Sequence, residues 1–276
     1  MTDPTNDRNT TDNSRPIHQL VLLRGLARES RHWGNFVREL EEAYAEQGLT
    51  ARIETIDFPG CGRHSEMTAA LTMDQTADFA REKLKEILNR EAEAGIRPAD
   101  HRRLITISLG GMVGASWLSR HPTDFHSAVM INSSFRGVSK FYERLRWQSW
   151  WRIPLILKSS DVEVRESAIL DWISNVPENR QALLPEWVRI QHSRPVSKMN
   201  LLLQVQAAMR FEAPEKIKTP LFVIVSDQDR MVSPACSRAI AQHYDARLLS
   251  HPTAGHDLPL DAGGWLAGMI SKWNSK

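Results

Sequence analysis

From Ile17 onward the chain alternates short apolar runs with longer amphipathic ones. The apolar runs at 19–23, 52–56, 104–107, 128–132, 221–225 and 246–249 have the length of buried strands. The runs at 32–48, 73–94, 110–121, 234–243 and 262–273 carry helical periodicity. Strands that alternate with helices of this length lie side by side in a parallel sheet covered on both faces. Such sheets bind ligands beyond the carboxyl ends of their strands. Chemistry is therefore expected in the loops that follow each apolar run.

The chain has 276 residues, enough to bury a full core without disulfides or metals. With 41% hydrophobic and 25% charged residues it is not collagen-like, coiled-coil or wholly disordered. Lys and Arg number 35 against 33 Asp and Glu, a net charge of +2, so no pull toward nucleic acid or acidic membranes is expected. No apolar run is long enough to span a bilayer. Residues 1–16 are polar, lack the apolar stretch of a secretory signal, and are expected to form a mobile tail. The expected location is the cytoplasm. Cys61 and Cys236 stand in no metal-ligand spacing and are expected as unpaired thiols; no metal or other cofactor is expected.

Residues 137–215 interrupt the alternation. They read as helical pieces punctuated by Pro154, Pro177, Pro185 and Pro195, and they hold five of the nine Trp. The expectation is an inserted helical cap over the carboxyl edge of a core formed by 17–136 and 216–276. Most of the indoles should pack this layer onto the core; Trp147, Trp150 and Trp151 are the candidates to line a substrate pocket.

Ser108 stands in L-I-T-I-S-L-G-G-M-V-G, where the strand ends at Ile107 and a helix starts within two residues. So tight a turn puts the hydroxyl at a helix N-terminus, which favours developing negative charge. A Ser needs a base, and the base an orienting carboxylate. His256, on the Gly-containing loop H-P-T-A-G-H-D after the last apolar run, is the candidate base, with His251 its nearest rival. The loop after the fifth run, V-S-D-Q-D-R-M-V, offers Asp229 and, as a fallback, Asp227.

These segments resemble the α/β-hydrolase family. The Ser108 turn is similar to its nucleophile elbow G-x-S-x-G, with Thr106 in place of the first Gly. The fifth loop resembles its G-x-x-D-x-x-V pattern, which selects Asp229, and the order Ser108, Asp229, His256 is the family's order. L-V-L-L-R-G-L resembles the family's L-L-H-G-x segment, with Arg24 where His is usual. That resemblance implies an oxyanion hole from the backbone N–H groups of Leu26 and Leu109. Arg24 then either fills a structural slot or recognises an anionic substrate group. D-F-P-G-C-G-R-H-S at 57–65 is similar to the family's structural loop after the second strand, and Trp33 falls where an aromatic residue packs behind the oxyanion loop.

The resemblance covers 17–136 and 216–273. It implies a sheet of about six parallel strands, without the first two usual ones, in the order second, first, third, fourth, fifth, sixth. The implied activity is hydrolysis of a carboxylic ester of a small or medium apolar substrate through an acyl-enzyme, with a small-molecule ester as partner and a homodimer left open. A thioesterase or acyltransferase, a carbon–carbon bond hydrolase on the same three residues, and a non-catalytic ligand-binding member of the fold stay open as alternatives.

Overall fold

A computed structural model describes residues 15–273. The six apolar runs form strands β1 (Ile17–Leu23), β2 (Thr50–Ile56), β3 (His101–Ile107), β4 (Ser127–Ile131), β5 (Leu221–Ser226) and β6 (Arg247–His251). They join one sheet in the order β2-β1-β3-β4-β5-β6, and every neighbouring pair is parallel. The inner strands are mainly apolar toward their carboxyl ends because both of their faces are covered there. Val21, Leu23, Leu104, Met130 and Val223 face one layer; Leu20, Leu22, Ile105, Ile107, Val129, Phe222 and Ile224 face the other. The edge strands β2 and β6 are only partly buried and carry Arg52, Glu54 and Arg247, which discourages pairing with a further strand.

Helices α1 (Phe36–Glu46), α2 (Met73–Glu93) and α3 (Leu109–Arg120) precede the fourth strand. Five more follow it: α4 (Phe141–Arg144), α5 (Arg152–Lys158), α6 (Val162–Ile173), α7 (Pro177–Ser193) and α8 (Lys198–Arg210). The last two are α9 (Pro234–His243) and α10 (Leu258–Lys272). Residues from α2, α3, α8 and α9 cover one face of the sheet, and α1 and α10 the other.

The helix expected over 32–48 is two pieces. Gly34 sits at φ 52° and ends a short 3₁₀ turn, Ser30–Trp33, before α1 begins. At the other end α10 starts earlier than expected and is broken at Ala262 (φ −149°, ψ 46°). Of the expected tail, residues 1–14 lie outside the described residues. Pro16 is already engaged: its carbonyl accepts from Thr50 N–H at 2.9 Å, beside the start of β1.

Two hydrogen-bonded arrangements, one buried and one half-buried, hold the carboxyl end of the sheet together. Asn132, at φ 46° just past β4, accepts from Ser226 N–H (2.8 Å) and donates through Nδ2 to the Ser226 hydroxyl (2.9 Å) and the His256 carbonyl (2.8 Å). Asp261 accepts from Gly255 N–H (2.7 Å) and Asn175 N–H (2.8 Å), tying the loop before α10 to the end of α6.

Candidate active site

β3 runs straight into α3, and Ser108 carries the whole reversal at φ 55°, ψ −121°. A non-glycine residue there is strained, and strain of this kind costs about 1–3 kcal/mol. The surroundings hold it in place: Ser108 N–H donates to Ile131 O (2.9 Å), and its carbonyl accepts from the Ser133 hydroxyl (2.8 Å) and Gly111 N–H (2.9 Å). The neighbours must be small. A Cβ on Gly110 would stand 2.5 Å from Leu23 O and 2.6 Å from Arg24 O, and one on Gly25 would stand 3.1 Å from Ser108 Cβ. Thr106 is accommodated because it is a buried strand residue whose hydroxyl donates to Val129 O at 3.0 Å.

His256 Nε2 lies 2.9 Å from Ser108 Oγ, and His256 Nδ1 lies 2.7 Å from Asp229 Oδ2. The other carboxylate oxygen of Asp229 accepts from Met231 N–H (2.8 Å) and Val232 N–H (2.9 Å). These bonds fix which oxygen faces the imidazole, so Nδ1 carries a proton toward a carboxylate and Nε2 is left to accept from the Ser hydroxyl. Burial alone would push the His256 imidazole down. The charge and hydrogen bond of Asp229, with Asp257 behind it, more than offset that, and the net shift is upward. The rivals do other work. Asp227 pairs with Arg238 near the surface (2.6 Å), and His251 Nδ1 accepts from Ala254 N–H (3.0 Å).

Leu109 is the first residue of α3, where the helix leaves N–H groups without an internal partner. Leu26 lies on the loop after β1, one residue past the Gly25 that packs on Ser108, and both Leu26 and Ser108 line the same pocket. Arg24, 4% exposed, forms a two-pronged ion pair with Asp257: Nη1 to Oδ1 at 3.2 Å and Nη2 to Oδ2 at 2.5 Å. Its guanidinium also lies 4.7 Å from the centre of the Trp33 ring. Arg24 touches the pocket wall, but its charge is already matched. Asp257 carried a signal in the sequence, since it directly follows His256; its pairing with Arg24, 233 residues away, did not.

The pocket is a cavity of about 170 Å³ between the loop after β1, the Ser108–His256 pair and residues of α5, α6, α7 and α8. Trp147, Trp150 and Trp151 are absent from its wall. They are 64%, 48% and 63% exposed, on the outer side of the α4–α5 connection. Aromatic content does not encode which side of a short turn faces inward. Trp172 supplies the indole that lines the cavity. Asp57, assigned no chemistry, is a structural clamp: it accepts from Ser30 N–H (2.7 Å) and Arg63 N–H (2.9 Å). Both cysteines are free and buried, and burial pushes each thiol up to about 11, so neither is a ready nucleophile. Among the described residues no His, Cys, Asp and Glu cluster is arranged to hold a metal ion, and no helix is long and apolar enough to cross a membrane.

The model of the alpha/beta hydrolase family matches residues 20–268. The chain belongs to the alpha/beta hydrolase family. Among solved structures, this alpha/beta hydrolase is similar to the 2-hydroxy-6-oxo-6-phenylhexa-2,4-dienoate hydrolase of a Rhodococcus species (TM-score 0.68, 16% identity, 93% of this chain and 89% of that one). It is also similar to the enol-lactonase of Burkholderia xenovorans (TM-score 0.66, 18% identity, 94% and 91%). At these identities the likeness concerns the fold. A curated relative, the biotin biosynthesis bifunctional protein BioHC of Teredinibacter turnerae, is 25% identical over 172 residues, 62% of this chain. The chain spans about a quarter of that protein's length.

Proposed function

We propose that the chain is a serine hydrolase that cleaves a carboxylic ester through an acyl-enzyme, with Ser108 as nucleophile, His256 as general base and acid, and Asp229 as the group that orients His256. The observation that carries this reading is the unbroken hydrogen-bond chain from Asp229 through both nitrogens of His256 to the Ser108 hydroxyl. Ser108 Oγ attacks the ester carbonyl as its proton passes to His256 Nε2. The N–H groups of Leu26 and Leu109 hold the oxyanion, which is worth about 3–4 kcal/mol per donor in such sites. Collapse of the tetrahedral species breaks the ester C–O bond, and the proton on Nε2 goes to the departing alkoxide. Water then repeats the sequence on the acyl-enzyme and releases the acid.

Residues 137–215 act as a cap in this reading. Their helices have an apolar core of their own, Leu170, Trp172, Ile173, Trp187 and Ile190, and they close the cavity above Ser108. The apolar part of the cavity wall, which includes Leu26, Ile107, Ile169, Trp172 and Ile173, suits an apolar acyl or alkyl group and supports the ester reading.

The test is a panel of aryl esters, a thioester and a ring-cleavage dienoate, each run on wild type and Ser108→Ala. Ester turnover that disappears in Ser108→Ala is expected. Ligand binding without turnover of any class would move the chain to the non-catalytic members of the fold.

A further inference from the structure

The pocket wall carries four cationic side chains, Arg24, Arg28, Arg165 and Lys198, against two carboxylates, Glu166 and Asp257. The carboxylates are spent on two of the four cations. Arg24 takes Asp257 in the two-pronged pair. Arg28 takes Glu166: Nη1 donates to Oε2 at 2.7 Å, with the two side chains 7% and 1% exposed. Arg28 is further occupied by His32 (Nη1 to Nε2, 3.2 Å) and lies 4.5 Å from the centre of the Trp187 ring. Burial, then Arg28 itself, hold His32 well below the ordinary imidazole range, so that ring adds no charge.

Arg165 and Lys198 are the less fully matched cations: Arg165 shares Glu166 with Arg28, and Lys198 stands exposed at the rim of the wall. The Arg165 guanidinium approaches Glu166 only to 3.6 Å and makes no side-chain hydrogen bond among the described residues. Lys198 is in no ion pair among the described residues. It is the first residue of α8, whose opening turn carries no acidic side chain. A helix N-terminus favours an anion and disfavours a cation. Lys198 therefore adds positive charge where the helix already supplies it, at the end of α8 that closes the cavity. The lining therefore carries two more cations than carboxylates, on the same cavity that Ser108 and His256 line.

We propose that the cavity binds an anionic group on the substrate, and that the preferred ester carries a carboxylate apart from the scissile bond, held by Arg165 and Lys198. The proposal rests on the serine-hydrolase reading for the reaction, but not for the binding. Arg24, the residue the sequence suggested for an anion, is excluded from this role by its pair with Asp257.

Three aryl esters of matched length separate the terms: the half-ester of adipic acid, its methyl-capped diester, and the hexanoate. An ester with the carboxylate on the alcohol side tells which half of the substrate reaches the cations. Wild type should favour a carboxylate-bearing ester about tenfold or more in kcat/KM over its neutral counterpart. Arg165→Gln and Lys198→Gln should each remove most of that preference through KM, lowering kcat/KM for the anionic ester several-fold more than for its neutral counterpart. Lys198→Glu should invert the preference while raising stability, since it restores an acid at a helix N-terminus. Calorimetric binding of adipate to wild type and to the Arg165→Gln/Lys198→Gln double variant gives a readout independent of turnover. Neutral esters cleaved as well as anionic ones, with no adipate binding, would overturn this inference and leave the hydrolase reading standing. Adipate binding lost in the double variant, with no ester cleaved, would retain the anion site and overturn the reaction.

Discussion

Asp257→Asn should destabilise the protein severely, and the structure sets the size of the effect. The substitution leaves the Arg24 guanidinium, 4% exposed, facing an amide that cannot neutralise it. Removing one member of a buried pair costs about 3–5 kcal/mol because the other charge stays buried and uncompensated. Against a total stability of about 5–15 kcal/mol this is about a fifth or more of the whole. At roughly 2–4 °C per kcal/mol for a chain of this size, Tm should fall by about 10 °C.

Arg24→Met should cost a comparable amount, since it strands the Asp257 carboxylate. The double variant Arg24→Met/Asp257→Leu removes both charges and should lie within about 1–2 kcal/mol of wild type. Urea unfolding of wild type, Arg24→Met, Asp257→Leu and the double variant closes the cycle, with the midpoint and slope read together. A double variant as unstable as the worse single one would show that the two side chains do not compensate each other. An Arg24→Met protein that folds with wild-type stability but loses anionic esters would return Arg24 to substrate recognition.

Other outcomes follow from the same geometry. The acid limb of kcat/KM should have its inflection above the ordinary imidazole value of about 6.5, because Asp229 raises His256 and the base must be neutral to act. Asp229→Asn should move that inflection down and lower turnover by about 10⁴-fold, whereas Asp227→Asn, at a surface pair, should change little. Gly110→Ala should cost about 3 kcal/mol or fail to fold, since its Cβ meets the backbone carbonyls of Leu23 and Arg24; urea unfolding measures it. At the opposite end of the sheet, burial, together with the charges of His18, Arg103 and His126, pushes His101 down to about 4. The unfolded chain then binds more protons than the folded one between about pH 6.5 and 4, and stability should fall as pH drops through that window. His101→Gln should flatten the fall in a pH series of urea midpoints.

The strands were legible because each inner one holds a run of apolar residues on both faces, and a run such as Leu20 to Leu23, wholly buried, suits a covered sheet. The grouping of Ser108, Asp229 and His256 was legible because Ser108 directly follows such a run and the other two lie on the loops after later ones. Boundaries were blurred where a single backbone angle decides them, as at Gly34 and Ala262. Polar partnerships were the least legible part. Arg28 and Glu166 are 138 residues apart and Arg24 and Asp257 are 233 apart, and neither pairing leaves a local trace. Asn132 had a faint one, a polar residue ending the fourth apolar run. The indoles of 147–151 misled because hydrophobic content gives no direction on a turn too short to have a face.

A fluorophosphonate probe followed by peptide mapping bears most directly on the proposed reaction. One equivalent should attach to Ser108, with labelling abolished in Ser108→Ala and strongly slowed in a variant lacking His256. Undiminished labelling of Ser108→Ala, or attachment to another residue, would contradict the account.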